Sequence, residues 1–227
     1  MVLPYRCILC SCRTGRLMDL CADCERELPL NLDACPRCAQ PVDKVEDAVC
    51  GACLKKAPRY TTAYSPFRYS YPVDHMIRAL KYGNDLAQAR VLGGLLARGC
   101  TRLATAGSID MILPVPLSQY RYVQRGYNQA RELGRWLQRE LHVPLRCDLL
   151  LRTRHTQEQA RLARRERRRN VRGAFTVTQP VQGARLVLLD DVITTGCTAN
   201  EAARVLRKAG ASEVHLWAVA RASLGRP

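Results

Sequence analysis

Apolar residues in the second half of the chain form an uninterrupted run, and a periodic run follows it. Residues 186–189 are all apolar, as expected for a strand buried on both faces of a parallel sheet. Further on, apolar residues recur at helical spacing up to Gly210, namely Ala199, Ala202, Ala203, Val205, Leu206 and Ala209. Glycine commonly takes the left-handed position after the last helical turn. The pattern predicts a strand, a short turn and a helix that ends at Gly210.

The same two patterns occur in other parts of the chain. Helical spacing predicts one helix over residues 73–82 and another over residues 85–98. The apolar stretches at residues 109–115 and 213–220 predict further buried strands. A helix that begins near Tyr127 is indicated by Leu133, Trp136, Leu137 and Leu141. Strands alternating with helices predict an α/β fold with a parallel sheet and flanking helices.

Polar residues follow the strand at 186–189 and indicate a ligand site. Asp190 and Asp191 come first, and the turn before the helix contains Thr194, Thr195, Gly196, Cys197 and Thr198. Amides at a helix start and threonine hydroxyls bind phosphate. Paired carboxylates accept hydrogen bonds from a vicinal diol, or neutralise a metal that bridges diol and diphosphate. A sugar 5′-phosphate meets both requirements; the alternative is a solvated strand end with a helix cap.

The segment VLLDDVITTGCT resembles the phosphoribosyl pyrophosphate (PRPP) motif of type I phosphoribosyltransferases. The resemblance implies that the acidic pair holds the ribose hydroxyls, that the turn wraps the 5′-phosphate, and that magnesium accompanies PRPP. It also implies that pyrophosphate is held by the loop before the helix near Tyr127, which offers Ser118, Arg121 and Arg125. The planar fork of arginine binds phosphate oxygens in pairs. Lys81 is a weaker anion-ligand candidate, and we favour an exposed lysine there.

Nine of the twelve cysteines lie in the first 53 residues, and eight form four Cys-x-x-Cys pairs. The pairs are Cys7 with Cys10, Cys21 with Cys24, Cys35 with Cys38, and Cys50 with Cys53. Two pairs complete a four-sulfur zinc shell, so we expect two structural zinc ions in residues 1–57, ahead of a domain at 58–227. Short loops favour sequential sites, and a cross-braced arrangement stays open. Disulfides are the alternative, but the lack of a secretory apolar core predicts a reducing cytoplasm.

The net charge of +16 belongs mainly to residues 61–227, which hold 27 basic and 12 acidic side chains. Residues 152–172 contain nine arginines and two glutamates. Candidate DNA or anion ligands here are Arg161, Arg164, Arg165, Arg168, Arg169 and Arg172. DNA, RNA or a nucleotide diphosphate would suit such a surface, and a solvated charge run is the alternative.

No apolar run reaches the roughly 18 residues that a membrane helix needs, which predicts no membrane insertion.

Taken together, these motifs resemble the ComF family of competence-related phosphoribosyltransferase-like proteins, especially its GntX branch. The matching segments are the four Cys-x-x-Cys pairs, LKYGND, PVPLSQYRYVQRGYNQA, RTRHTQEQARLARRERRRNVRGAF and VLLDDVITTGCT. The resemblance implies a type I phosphoribosyltransferase-like domain behind a double zinc ribbon. It also implies a cytoplasmic role in DNA uptake, for transformation or nutrition, with binding of PRPP or a related nucleotide and of single-stranded DNA.

Two other functions stay open at this point. One is an active phosphoribosyltransferase of nucleobase salvage that uses PRPP and magnesium, although the sequence contains no evident base-recognition element. The other is a regulatory module in which PRPP is a signal and the zinc ribbon docks a protein of the DNA-uptake machinery.

Overall fold

Strands and helices alternate along the chain, as the hydrophobic pattern predicts. A computed structural model describes residues 5–42, 49–106, 109–154 and 171–223. Its strands are β1 Ala63–Tyr64, β2 Phe67–Arg68, β3 Met111–Pro114, β4 Leu150–Arg152, β5 Phe175–Val177, β6 Arg185–Ile193 and β7 Glu213–Arg221. Its helices are α1 Ala22–Arg26, α2 Gly51–Lys55, α3 Val73–Tyr82, α4 Leu86–Ala106, α5 Gln119–Arg125, α6 Gln129–Leu141 and α7 Cys197–Lys208.

A parallel sheet is built around β6 and β7. The order is β1–β7–β6–β3, and β2 pairs with β7 beyond β1. Arg185 of β6 lies opposite Glu213, and Leu186 lies opposite Met111 of β3. Because all these pairs are parallel, the carboxyl ends of β3 and β6 point towards the same edge of the sheet, which is where ligands bind in open α/β sheets.

The two faces of the sheet are covered by different elements. Successive side chains of a strand point to opposite faces. Val187 and Leu189 accordingly belong to the core that contains α3, α4 and α6. Leu186 and Leu188 belong to the core that contains α7 and the antiparallel β4–β5 hairpin. The predicted α/β fold with flanking helices is therefore confirmed.

The cysteine-rich segment contributes to both cores. Cys7, Leu20 and Leu28 are buried with the α4 side, and Ala39 is buried with the α7 side. Glu25 also forms an ion pair with Arg98 of α4, at 2.7 Å between Oε1 and Nη2. A segment too short to bury a large core of its own therefore uses the main domain as one wall.

The structure corrects several predicted boundaries. Helix α4 continues to Ala106, beyond the predicted end at residue 98. β6 runs through both aspartates to Ile193, because its pairing with β7 continues to Arg221. In the predicted loop that carries Ser118, Arg121 and Arg125, the residues after Ser118 instead form helix α5, which ends where Gly126 adopts a left-handed conformation.

None of the described helices combines the length and apolar character that a bilayer crossing requires.

Two adjacent glycines of α4 provide a test of the helix packing. A Cβ at Gly93 would lie 2.7 Å from Cβ of Trp136 on α6, whereas a Cβ at Gly94 would meet nothing closer than the Met18 methyl at 3.5 Å. We expect Gly93→Ala to lower the free energy of unfolding by about 1–2 kcal/mol through overpacking. Gly94→Ala should raise it by up to about 1 kcal/mol through helix propensity. Urea unfolding of the zinc-loaded variants measures both, and equal stabilities would contradict the close α4–α6 approach.

Candidate ligand site and metal centres

The carboxyl ends of β3 and β6 border a cleft of about 380 Å³. Most of the predicted ligand residues line it, namely Arg121, Arg125, Asp190, Asp191, Thr194, Gly196, Cys197 and Thr198. Ser118 is instead buried just before α5, and Thr195 lines a smaller cavity on the other side of the turn. Three further polar residues in the wall were not predicted, namely Tyr82, Gln129 and Arg152, and Lys81, the weaker candidate, lines the wall as well.

The two aspartates have different surroundings. Asp191 is only 3% exposed, and its Oδ2 lies 2.9 Å from Nζ of Lys81. Asp190 is less buried and accepts a hydrogen bond from the backbone N–H of Asp191 at 2.9 Å. Burial and the negative charge of Asp191 raise the pKa of Asp190 to about 7, against the opposing effect of Lys81. A bound cation would restore the charged form of Asp190.

The preference for an exposed Lys81 was wrong. The last turn of α3 directs Lys81 into the cleft, and its side chain is 18% exposed. Burial lowers the pKa of Lys81, but the charge and hydrogen bond of Asp191 outweigh that effect, so the pKa lies above its ordinary value. The sequence did contain a signal, because Lys81 is four residues after the buried Ile77 and therefore shares its helix face.

Arg125 is a buried cation at the cleft wall. It is 8% exposed and donates hydrogen bonds to Oε1 of Gln129 at 3.0 Å and to the hydroxyl of Tyr82 at 3.5 Å. Its guanidinium carbon lies 5.1 Å from the centre of the Tyr82 ring. Among the described residues, no atom accepts a hydrogen bond from its Nε. A buried arginine with an unused donor is suited to a phosphate oxygen.

The cleft as a whole is positively charged. Lys81, Arg121, Arg125 and Arg152 line it, against two aspartates. Burial, with the nearby charge of Arg121, lowers the pKa of Arg152 to about 10, and Asp190 opposes this shift. Arg152 is thus still charged at neutral pH. An excess of positive charge in a concave, partly desolvated site favours a polyanionic ligand such as a diphosphate.

The turn between β6 and α7 presents a helix start to this cleft. Gly196 precedes α7 with a φ of 70°, a conformation that glycine adopts without strain. The carbonyl of Gly196 accepts a hydrogen bond from the amide of Asn200 at 2.9 Å, so Gly196 is the residue that begins the helix, and the amides of a first helical turn point away from the helix body. The macrodipole of a twelve-residue helix adds a favourable field for an anion at this position.

The eight paired cysteines form two clusters, and their grouping is sequential. The first cluster contains Cys7, Cys10, Cys21 and Cys24, and the second contains Cys35, Cys38, Cys50 and Cys53. Within each cluster all Sγ atoms lie within 4.8 Å of one another, and all twelve cysteines of the chain are free thiols. Sγ–Sγ distances of 3.7 Å and 3.6 Å join the central residues of each cluster.

These clusters fit tetrahedral zinc. Zn–S bonds of about 2.3 Å place neighbouring sulfurs about 3.8 Å apart. Backbone amides also donate to Sγ of Cys21 at 3.4 Å and to Sγ of Cys35 at 3.3 Å, and such hydrogen bonds orient and stabilise thiolate ligands. Two clusters therefore fit two zinc ions, as predicted.

Most of the arginine-rich candidates lie outside the described residues, namely Arg161, Arg164, Arg165, Arg168 and Arg169. Arg172 is described and is exposed. The two ends of this segment are anchored by hydrogen bonds from backbone amides. The amide of Thr153 donates to the carbonyl of Ala174 at 3.0 Å, and the amide of Gly173 donates to Glu201 of α7 at 2.8 Å. Arg152, at its start, lines the cleft itself.

Comparison with known proteins supports the same architecture. A family model described as a double zinc ribbon domain matches residues 1–54, and one described as a phosphoribosyl transferase domain matches residues 130–226. The DNA utilization protein YhgH of Escherichia coli is 36% identical over 97% of this chain and 99% of its own. Competence protein F of Haemophilus influenzae is 33% identical over 96% and 97%, respectively. Adenine phosphoribosyltransferase of Leishmania donovani aligns over 72% of each chain, with 15% identity and a TM-score of 0.39.

The fold and the two cysteine clusters define a phosphoribosyltransferase-domain protein that carries a double zinc ribbon. With full-length relatives at this level of identity, the chain belongs to the ComF family of DNA utilization and competence proteins.

The raised pKa of Asp190 predicts a pH-dependent contribution to stability. A carboxyl whose folded pKa is raised stabilises the protein below its ordinary pKa, 3.8, and this contribution is lost as pH rises through about 7. Between pH 5.5 and 8 the wild type should therefore lose about 1–2 kcal/mol of unfolding free energy relative to Asp190→Asn. Urea unfolding at several pH values measures the difference, in which zinc-linked effects cancel. A difference that stays constant with pH would contradict the burial of Asp190.

Proposed function

We propose that this protein binds PRPP, or a closely related nucleotide, as a magnesium complex in the cleft between β3 and β6. The observation that carries the proposal is the convergence of an acidic pair, a helix start and a basic wall in one cleft. The phosphoribosyl transferase family model and the PRPP-like segment at the end of β6 support it.

Each part of the ligand has a matching group in the wall. Asp190, whose neighbour Asp191 is paired with Lys81, would bind the ribose hydroxyls and magnesium. The amides of residues 196–198 and the hydroxyls of Thr194 and Thr198 are the donors for the 5′-phosphate. Arg121, Arg125 and Lys81 are the cations for the pyrophosphate group.

Calorimetry with PRPP and magnesium tests this proposal. We expect the wild type to bind. Asp190→Asn combined with Asp191→Asn should weaken binding at least about tenfold, or about 1.4 kcal/mol, because the variant lacks the carboxylates proposed to hold magnesium and the ribose hydroxyls. Asp148→Asn is the matched control, since Asp148 is an exposed carboxylate paired with Arg146. A wild type that gives no heat and no thermal shift would overturn the proposal.

We propose further that single-stranded DNA binds beside this cleft. α5 exposes 68% of Tyr120 and 48% of Tyr122, and Tyr82 at the cleft wall is 68% exposed. Arg121 lies between the two α5 tyrosines in sequence, and Arg152, the first residue of the arginine-rich segment, lines the same cleft. Exposed aromatic rings beside a basic groove bind single strands by stacking bases and neutralising phosphates.

Fluorescence anisotropy with a labelled oligonucleotide tests the DNA surface. Tyr120→Ala with Tyr122→Ala should weaken binding by about 1–3 kcal/mol for each stacked base that is lost, whereas Tyr→Phe at both positions keeps the rings and should bind as the wild type does. Replacing Arg164, Arg165, Arg168 and Arg169 with glutamine should reduce the steepness of the salt dependence. Unchanged affinity and salt dependence in both sets of variants would remove this surface from the proposal.

We propose that these binding activities serve a cytoplasmic role in the uptake or use of external DNA, a proposal supported by full-length relatives that are named for DNA utilization and for competence. The zinc ribbon would then be available for contact with other uptake proteins. Phosphoribosyl transfer to a nucleobase is the second candidate, favoured by the basic residues around the proposed pyrophosphate position. Release of pyrophosphate from PRPP in the presence of purine, pyrimidine or nicotinate acceptors would distinguish transfer from binding alone.

A further inference from the structure

The turn that borders the cleft has a second side, and this side faces the zinc ribbon. A cavity of about 180 Å³ separates the two. The second cysteine cluster lines it through Cys38, Cys50 and Cys53, and the turn lines it through Thr195, Gly196 and Cys197. The candidate 5′-phosphate turn therefore lies between the ligand cleft and one of the two metal centres.

Arg221, at the end of β7, connects the turn to that metal centre. It is 2% exposed, and its Nη1 donates to the carbonyls of Ile193 at 2.8 Å, Ala222 at 3.1 Å and Thr194. The same side chain lines the 180 Å³ cavity together with Cys38, Cys50 and Cys53. One buried guanidinium therefore holds the first residues of the turn and also lies at the cavity that the second cluster borders.

The negative charge of a zinc-filled second cluster explains why the position of Arg221 matters. Four thiolates around Zn²⁺ carry a net charge of −2, and a buried guanidinium is costly without a counter-charge. The filled second cluster supplies that counter-charge to Arg221. Loss of zinc releases the four sulfurs from their fixed positions beside the cavity, and Arg221 then loses the group that keeps it under the turn.

Residues that follow the second cluster also hold the turn. Tyr60 is 5% exposed, and its hydroxyl would lie 3.1 Å from a Cβ at Gly196. The amide of Arg59 donates to Oδ1 of Asn200, in the first turn of α7, at 2.6 Å. The first cluster lies elsewhere: its segment packs on α4, where Met18 approaches Gly94 and Glu25 pairs with Arg98.

We propose that zinc in the second cluster, acting through Arg221 as a positioning residue, holds the turn at residues 194–197 in the shape that receives the 5′-phosphate. The first zinc stabilises the ribbon against α4 and does not act on the turn. The proposal rests on the phosphate-binding role of the turn, and it predicts that the two metal centres differ in their effect on the cleft.

Hydrogen exchange followed by mass spectrometry tests the proposal without a ligand. Arg221→Met should retain two zinc ions by elemental analysis, yet exchange at the amides of Asn200 and Ala222, which donate to the carbonyls of Gly196 and Ile193 at the two ends of the turn, should become at least tenfold faster. Arg68→Met is the matched control, because Arg68 is an exposed arginine that pairs in register with Arg221 on the neighbouring strand. A turn that stays equally protected in Arg221→Met would overturn the proposal.

Removal of each metal provides the second arm. Cys50→Ser should lose one zinc, increase exchange in the turn and weaken PRPP binding at least tenfold, whereas Cys10→Ser should lose one zinc without increasing exchange in the turn. Equal effects of the two variants on the turn would overturn the proposal. If the wild type fails to bind PRPP, the proposed ligand is wrong, while the exchange measurements still decide the coupling between zinc and the turn.

Discussion

The buried ion pair between Lys81 and Asp191 is the interaction on which the site depends. β6 carries two adjacent carboxylates at the carboxyl edge of the sheet, directly after four buried apolar residues. Two such charges repel each other, and each loses hydration on burial. Lys81 neutralises one of them at 2.9 Å. Removing one member of a buried pair typically costs about 3–5 kcal/mol, so α3 and β6 hold each other in place through this contact.

The ion pair also gives the two aspartates different roles. Asp191 forms an ion pair with Lys81 of α3, while Asp190 stays partly open to the cleft with a raised pKa. Arg125 shows a similar division, since Gln129 and Tyr82 hold its terminal nitrogens and its Nε has no acceptor among the described residues. The cleft therefore combines groups fixed by the fold with groups that still lack a partner. Such an arrangement binds an ion without large rearrangement.

Much of the fold could be predicted because local patterns determine it. The apolar run 186–189 and the periodic run up to Gly210 correspond to β6 and α7, and the Cys-x-x-Cys spacing predicted the two clusters. Contacts between distant elements could not be predicted in the same way. Spacing alone does not show that Lys81 meets Asp191, 110 positions later, or that Arg152 enters the cleft. α5 was missed because its residues 119–125 have no apolar stripe facing the core.

The β4–β5 hairpin has a consequence for how this family can vary. Arg152 pairs with Phe175, and Gly173 is bonded to Glu201, so both ends of the intervening chain are anchored close together. Insertions or deletions between those anchors leave the register of every strand unchanged. The cost of closing a longer connection grows only slowly, by about 0.6 kcal/mol for each doubling of its length. Chains of this fold can therefore differ in the length and charge of the connection between these anchors while keeping the same sheet.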